Sequence, residues 1–197
     1  MLQGLTVILC LFAATAAIAD PATDCYEGRM EVKIARCTQL IEHNPADAAA
    51  YRNRGWAYYY KDNYDGAIAD YTKVIELIPK DAVAYYYRGH TYRAKHEYDR
   101  AIADFDKTIE LKPTLYIGYA GRAFTYFKAG KAAQGLSDAQ RALELKPNDP
   151  YALSIRGEIF EALGGREEAI ADYRRILSDN PSYQAAKDWL KKLGATP

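Results

Sequence analysis

Residues 48–81 (AAAYRNRGWAYYYKDNYDGAIADYTKVIELIPKD) and 82–115 (AVAYYYRGHTYRAKHEYDRAIADFDKTIELKPTL) decide the fold, because they are two copies of one 34-residue pattern. Two weaker copies follow at 116–149 and 150–183. Prolines recur at the same interval, at Pro45, Pro79, Pro113, Pro147 and Pro181. Self-similarity at a fixed period of this length predicts a repeat architecture in which each unit stacks on its neighbours.

Each copy contains two segments with helical periodicity. In the first copy, Tyr51, Gly55 and Tyr58 follow one another at spacings of three or four residues, and Ala67 and Tyr71 do so in its second half. Such spacing is typical of a helix with one buried face. Turn residues separate the two halves, and a proline closes the copy. The sequence therefore predicts an all-α protein built from antiparallel helix pairs.

The chain resembles the tetratricopeptide repeat (TPR) family, and specifically its exported bacterial members. The shared features are the 34-residue period, the paired helices, the small residue where the helices cross and the closing proline. The resemblance covers about residues 48–183. It implies a right-handed superhelical solenoid with a concave groove lined mostly by the first helix of each copy. Because the outermost repeats of a solenoid need covering, we expect an N-terminal partial repeat at 20–47 and a C-terminal capping helix and tail at 184–197.

Two charged residues recur in every copy, an arginine and an aspartate sixteen positions later. The pairs are Arg54 and Asp70, Arg88 and Asp104, Arg122 and Asp138, and Arg156 and Asp172. We interpret them as a structural ladder of ion pairs across the helix hairpins, since a bidentate arginine–carboxylate pair fixes helix register. The alternative is a row of ligand-binding charges, which requires the arginines to face the groove.

Residues 1–19 form a separate segment without a charged side chain. An apolar run at 5–14 leads to Ala17-Ile18-Ala19, the small-x-small pattern after which signal peptidase cuts. We therefore expect a cleaved signal peptide and an exported protein, periplasmic or extracellular. The absence of a lysine or arginine before the run leaves an uncleaved membrane anchor as the alternative, and a membrane contact is expected only in that case.

Two cysteines, Cys25 and Cys37, follow the signal segment. An even number in an exported chain favours a disulfide. On one continuous helix their Cα atoms would lie about 18 Å apart, whereas a disulfide needs about 7 Å or less. The bridge therefore requires a bend, which Gly28 can provide. Two unpaired cysteines are the alternative.

The resemblance also implies which side chains form the concave groove, here called the partner-binding groove. Carried onto this sequence, first-helix positions facing away from the second helix give Arg52, Trp56, Tyr59, Tyr60, Tyr86, His90, Arg93, Phe124, Phe127, Ser154, Glu158 and Glu161. This row is aromatic and mildly basic at its start and acidic at its end. One subclass of the family grips a peptide carboxylate with Lys and Asn, but those slots hold Arg52, Trp56 and Tyr87 here. We therefore do not expect that clamp.

The remaining composition narrows the function. Equal numbers of basic and acidic residues give a formal charge of zero, which argues against nucleic acid as a partner. No catalytic constellation is evident, and His90 and His96 are six residues apart, so they do not share a helix face. We expect no enzyme activity, no metal and no cofactor. The predicted function is a scaffold binding a protein or peptide; the alternatives are a structural subunit or self-associating homo-oligomer of a cell-envelope assembly, and a carbohydrate- or lipid-binding groove.

The third copy departs from the pattern in its second helix. Gly135 and Ala139 stand where the other copies carry alanine and an aromatic residue. Glycine within a helix costs about 1 kcal/mol relative to alanine. Helix propensity therefore predicts that, among the second helices, the helix at 132–145 is the least protected against hydrogen exchange.

Overall fold

The computed structural model describes Cys25 and residues 29–196. In this part of the chain it contains ten helices and no strand, which confirms the all-α prediction. The helices are α1 (Met30–His43), α2 (Ala48–Tyr60), α3 (Tyr64–Leu77), α4 (Ala82–Ala94), α5 (Tyr98–Leu111), α6 (Tyr116–Lys128), α7 (Ala132–Leu145), α8 (Pro150–Leu163), α9 (Arg166–Asp179) and α10 (Gln184–Lys192). The expected signal segment at 1–19 lies outside the described residues.

The helices form a solenoid of pairs. Each helix packs against the next one in the chain, so that α2–α3, α4–α5, α6–α7 and α8–α9 are the four repeats. The first helices of successive repeats also touch one another, whereas the second helices do not make comparable contacts. The first helices therefore lie on the inner, concave side, and the second helices lie on the outer side.

Repeated side chains begin and end these helices. Asp81 precedes α4 and accepts hydrogen bonds from the backbone N–H groups of Val83 and Ala84, at 2.9 and 3.2 Å. Such N-terminal capping satisfies donors that the helix itself leaves unpaired. The turn inside each repeat places one residue in the left-handed region, at the equivalent positions Asp62, His96, Gly130 and Gly164.

Arginine–aspartate pairs join the two helices of each repeat. Arg88 Nε and Nη2 donate to the carboxylate of Asp104 at 2.9 and 2.8 Å, and the same bidentate pair recurs in the other three repeats. Arg88 Nη1 also donates to Thr72 Oγ1 in the preceding second helix, at 3.0 Å. Because all four aspartates are buried, the pairs lie between helices and do not form an open charge row.

Both ends of the solenoid are covered. At the N-terminal end the Sγ atoms of Cys25 and Cys37 lie 2.07 Å apart, at disulfide distance, with both residues buried; Gly28, where a bend was expected, lies outside the described residues. At the C-terminal end Leu190 of α10 is fully buried against the last repeat. The Trp189 ring lies 5.0 Å from that of Tyr173.

Candidate binding groove

The N-terminal half of the concave side contains a hollow of about 190 Å³, here called the aromatic cavity. It lies between α2 and α4, the first helices of repeats 1 and 2, and is floored by a side chain from α3. Five predicted groove residues line it, together with three that were not predicted. The lining comprises Trp56, Tyr59, Tyr60, Tyr86 and His90, with Tyr71, Tyr87 and Thr91.

The rings of the aromatic cavity contact one another. The centroids of Trp56 and Tyr60 lie 4.5 Å apart, and Tyr59 meets His90 edge-on at 5.3 Å. The centroid of Tyr86 lies 6.0 Å from that of His90. Tilted and edge-to-face contacts at these separations are favourable for aromatic rings. The cavity wall is therefore a connected aromatic surface presented by two helices.

His90 stays neutral in this wall. Burial, and secondarily the nearby Arg93 guanidinium, lowers the pKa of its imidazole from 6.5 to about 3. A buried imidazole next to a cation loses much of its tendency to accept a proton. His90 therefore acts as a neutral ring with one donor and one acceptor nitrogen, and it does not add charge to the cavity.

The unpredicted members of the lining have different origins. Tyr71 belongs to a second helix and is almost fully buried, and its ring stacks on Tyr87 at 5.6 Å. Thr91 donates its hydroxyl to the Tyr87 carbonyl at 2.8 Å. Tyr71 stands at a position where three of the four second helices carry an aromatic residue, which indicates a buried side chain. In the structure its ring also forms the floor of the aromatic cavity. Arg52, by contrast, donates to Asp81 at 2.7 Å, and it is not among the residues that line the cavity.

The middle of the groove contains two cations around one aromatic ring. The Arg93 guanidinium carbon and Lys128 Nζ each lie 4.8 Å from the centroid of Phe124. The Tyr151 ring, which was not predicted, meets Phe124 edge-on at 6.4 Å. These four residues, from the first helices of repeats 2, 3 and 4, are called the cationic cluster. Positive charge over an aromatic face is a favourable arrangement.

The C-terminal end of the groove is an open hollow of about 470 Å³. It is lined by Phe127, Glu158, Glu161 and Ala162, and by Trp189 and Lys192 of the capping helix. Glu161 accepts hydrogen bonds from Tyr173 Oη at 2.6 Å and Lys192 Nζ at 2.7 Å. Burial raises the pKa of the Glu158 carboxyl. Two acidic side chains thus lie at this end of the groove, together with two aromatic rings and one lysine.

Ser154 does not contribute as predicted. Its side chain is buried, and its hydroxyl donates to the backbone carbonyl of Tyr151 at 2.8 Å. Serine hydroxyls on helices often bond to the preceding turn in this way. The Ser154 hydroxyl is therefore engaged within α8 and is not presented to a ligand.

The described part of the chain offers neither a membrane-spanning helix nor a cluster of metal ligands. No helix between residues 29 and 196 is both long and apolar enough to cross a membrane. In the same part of the chain, no group of three or more histidine, cysteine, aspartate or glutamate side chains is placed to hold a metal ion.

Solved structures with the same architecture exist. TTC0263, a thermophilic TPR protein of Thermus thermophilus, is 16% identical, with a TM-score of 0.73 over 88% of this chain and 94% of its own. YrrB, described as a TPR protein with an unusual peptide-binding site, is 27% identical, with a TM-score of 0.60 over 76% of this chain and 77% of its own. The first TPR of Spaghetti (RPAP3), bound to the HSP90 peptide SRMEEVD, is 32% identical, with a TM-score of 0.55 over 57% of this chain and 90% of its own.

Family models agree with these structures. Residues 48–81 and 82–115 each match the model described as Tetratricopeptide repeat, and residues 121–188 match a second model of the same description. No curated protein matches the chain in sequence. The matched segments cover more than half of the chain, so the chain belongs to the tetratricopeptide-repeat family.

Proposed function

We propose that this protein is a non-enzymatic scaffold that binds a segment of a partner protein in the partner-binding groove. Proteins of the tetratricopeptide-repeat family generally act as interaction scaffolds. The observation that carries the proposal is the aromatic cavity, where rings from two first helices line a hollow on the concave side. Tyrosine and tryptophan supply a large contact area at low cost in conformational entropy, and they often dominate binding energy.

The exposure of Tyr60 supports this role. Its side chain keeps 58% of its surface accessible although it touches both Trp56 and Tyr59. A large side chain left exposed beside a hollow of other rings favours a surface that a partner covers. Two similar structures add support, since YrrB has an unusual peptide-binding site and the first TPR of Spaghetti (RPAP3) holds a bound peptide.

The proposed place of action is outside the cytoplasm. The signal-like segment at 1–19 is one reason for this proposal. The pairing of Cys25 with Cys37 is the other, because disulfides persist mainly in oxidising compartments. The proposed partner is accordingly an exported or envelope protein that presents an extended or helical segment.

A pull-down from envelope extract tests the proposed function. The tagged protein is compared with Tyr60→Ala and with the double variant Trp56→Ala/Phe124→Ala, each shown by circular dichroism to keep its helix content. Ile78→Ala is the matched control, because Ile78 is an exposed aliphatic residue at the end of α3. We expect a partner that the control retains and the groove variants lose. A partner retained by every variant would place binding elsewhere, and sedimentation that depends on concentration would favour self-association.

A further inference from the structure

Arg93 is buried, and the described part of the chain offers no partner for its charge. It is only 8% exposed, and Nη1 makes no hydrogen bond with any described residue. No ion pair of Arg93 is found between residues 29 and 196. Its guanidinium rests against the Phe124 ring and contributes an unopposed positive charge to the middle of the groove.

The ladder arginines show how unusual this is. Arg88 keeps more of its surface exposed than Arg93, yet it holds a bidentate carboxylate and a threonine hydroxyl. A buried charge is costly unless it is paired and hydrogen-bonded. Unsatisfied buried groups in native proteins therefore call for an explanation, such as an ion or ligand that occupies the site.

Two neighbouring groups can act together with Arg93. The Tyr151 hydroxyl is buried and also lacks a hydrogen-bond partner in the described part of the chain. Lys128 is exposed and places its ammonium group over Phe124 and Phe127. It forms no direct ion pair with residues 29–196, although its charge opposes the rise that burial causes in the pKa of the Glu158 carboxyl. Among the described residues, two cations without a direct ion pair and one hydroxyl without a hydrogen-bond partner thus surround the Phe124 ring.

We infer that the cationic cluster binds a carboxylate of an acidic partner segment. In this site Arg93 and Lys128 neutralise the carboxylate, Tyr151 donates its hydroxyl to it, and Phe124 contacts the apolar part of the side chain. Charge-assisted hydrogen bonds from arginine to a carboxylate are short and strong, and they add geometric specificity. The inference rests on the proposed function only in assigning the carboxylate to a partner segment.

The first experiment uses benzoate as the probe and benzamide as its neutral equivalent. The Arg93 Nε–Hε resonance of the ¹⁵N-labelled protein is followed by NMR during titration. Arg93→Met removes the charge, and Arg100→Met is the matched control, because Arg100 is exposed and lies outside the cluster. We expect benzoate, but not benzamide, to shift the Arg93 signal. Its affinity should fall roughly tenfold or more in Arg93→Met, as loss of a charged hydrogen bond predicts, and stay unchanged in Arg100→Met.

Other outcomes of the titration would overturn the inference. An Arg93 resonance that does not respond to benzoate in the wild-type protein rules out the site, and this result does not depend on the folding of a variant. Equal binding of benzamide would show stacking on Phe124 without recognition of charge. Tighter binding of inorganic phosphate than of benzoate would replace the carboxylate by a phosphorylated segment.

A peptide selection separates this inference from the proposed function. A random peptide display library is selected on the wild-type protein and on Arg93→Met. Enrichment of aspartate or glutamate next to apolar residues on the wild type, lost on the variant, supports the inference. Enrichment of peptides without acidic residues supports the groove and overturns the carboxylate site. Benzoate binding with no enriched peptide would overturn the assignment to a partner segment and the proposed function together, while the anion site remains.

Discussion

A Cβ atom added to Gly135 would lie 2.7 Å from the backbone carbonyl oxygen of Ala123. The second helix of repeat 3 therefore packs with its backbone almost directly on the first. In repeat 2 the small residue lies on the opposite helix, where a Cβ at Gly89 would come within 3.2 Å of the Ala101 carbonyl oxygen. Glycine and alanine have exchanged helices between these repeats, and the close approach of the backbones is retained.

Gly135→Ala is expected to destabilise repeat 3. The new methyl group has no room against the Ala123 carbonyl, so overpacking should lower the free energy of unfolding by about 1–3 kcal/mol. Helix propensity alone predicts the opposite, a gain of about 1 kcal/mol. Urea denaturation followed by circular dichroism distinguishes the two. The control is Ser137→Ala, an exposed position on the same helix, and a Gly135→Ala protein as stable as the wild type would disprove the packing explanation.

The 34-residue period predicted the structural features that recur in every repeat. The helix pairs follow from the 34-residue period, and the partnership of Arg54 with Asp70 follows from a 16-residue spacing that recurs four times. Gly135 was interpreted by propensity alone, because one sequence does not show what lies opposite a residue. The packing explanation therefore weakens the reason for expecting poor protection at 132–145, and that expectation remains to be tested by hydrogen exchange.

The groove was less predictable, because equivalent positions carry different side chains. Tyr86 and Ser154 occupy equivalent positions two repeats apart, yet the tyrosine lines the aromatic cavity and the serine hydroxyl bonds its own helix. Tyr151 and Lys128 were missed, since their role depends on closeness to Phe124. That ring lies on the first helix of the preceding repeat for Tyr151, and on the same helix for Lys128. The spacing of residues in the sequence indicates on which face of a helix a side chain lies. Its hydrogen-bond partners and its exposure to solvent depend on neighbours from other helices.

The ladder should show strong coupling between Arg88 and Asp104. Arg88→Met leaves the buried Asp104 carboxylate without its bidentate donor, which should cost about 3–5 kcal/mol. Asp104→Asn should be costly as well, and the two changes together should cost less than their sum. A double-mutant cycle by urea denaturation should give a coupling energy of about 1–3 kcal/mol.

The matched control for this cycle is the exposed pair of Lys107 and Glu110 on the same helix, α5. Exposed pairs three residues apart contribute little, so its coupling should not exceed about 0.5 kcal/mol. Additive effects at Arg88 and Asp104 would mean that the ladder does not hold the helices in register.

The cysteine pair should stabilise the N-terminal end of the solenoid. Cys25 and Cys37 enclose a short loop, for which a disulfide contributes about 3 kcal/mol. Cys25→Ala/Cys37→Ala should therefore raise the hydrogen-exchange rate of α1 and leave α8 and α9 unchanged, because repeats contact only their neighbours. Mass spectrometry of the native protein, isolated without reductant, should find the two thiols oxidised. Free thiols, or equal protection of α1 in the variant, would contradict the bridge.

His90 should make stability depend on pH. The unfolded imidazole titrates near 6.5, whereas burial and Arg93 hold the folded pKa near 3. Below pH 6.5 the unfolded chain therefore binds a proton that the folded chain excludes. The contribution of a neutral His90 is fully present above pH 6.5 and is lost as the pH falls towards 3, by at most about 1.4 kcal/mol per unit. Urea midpoints measured across this range should fall less steeply for His90→Phe than for the wild type. His43→Gln, at an exposed histidine, should keep the wild-type slope. A His90→Phe slope equal to that of the wild type would show that folding does not lower the pKa of His90.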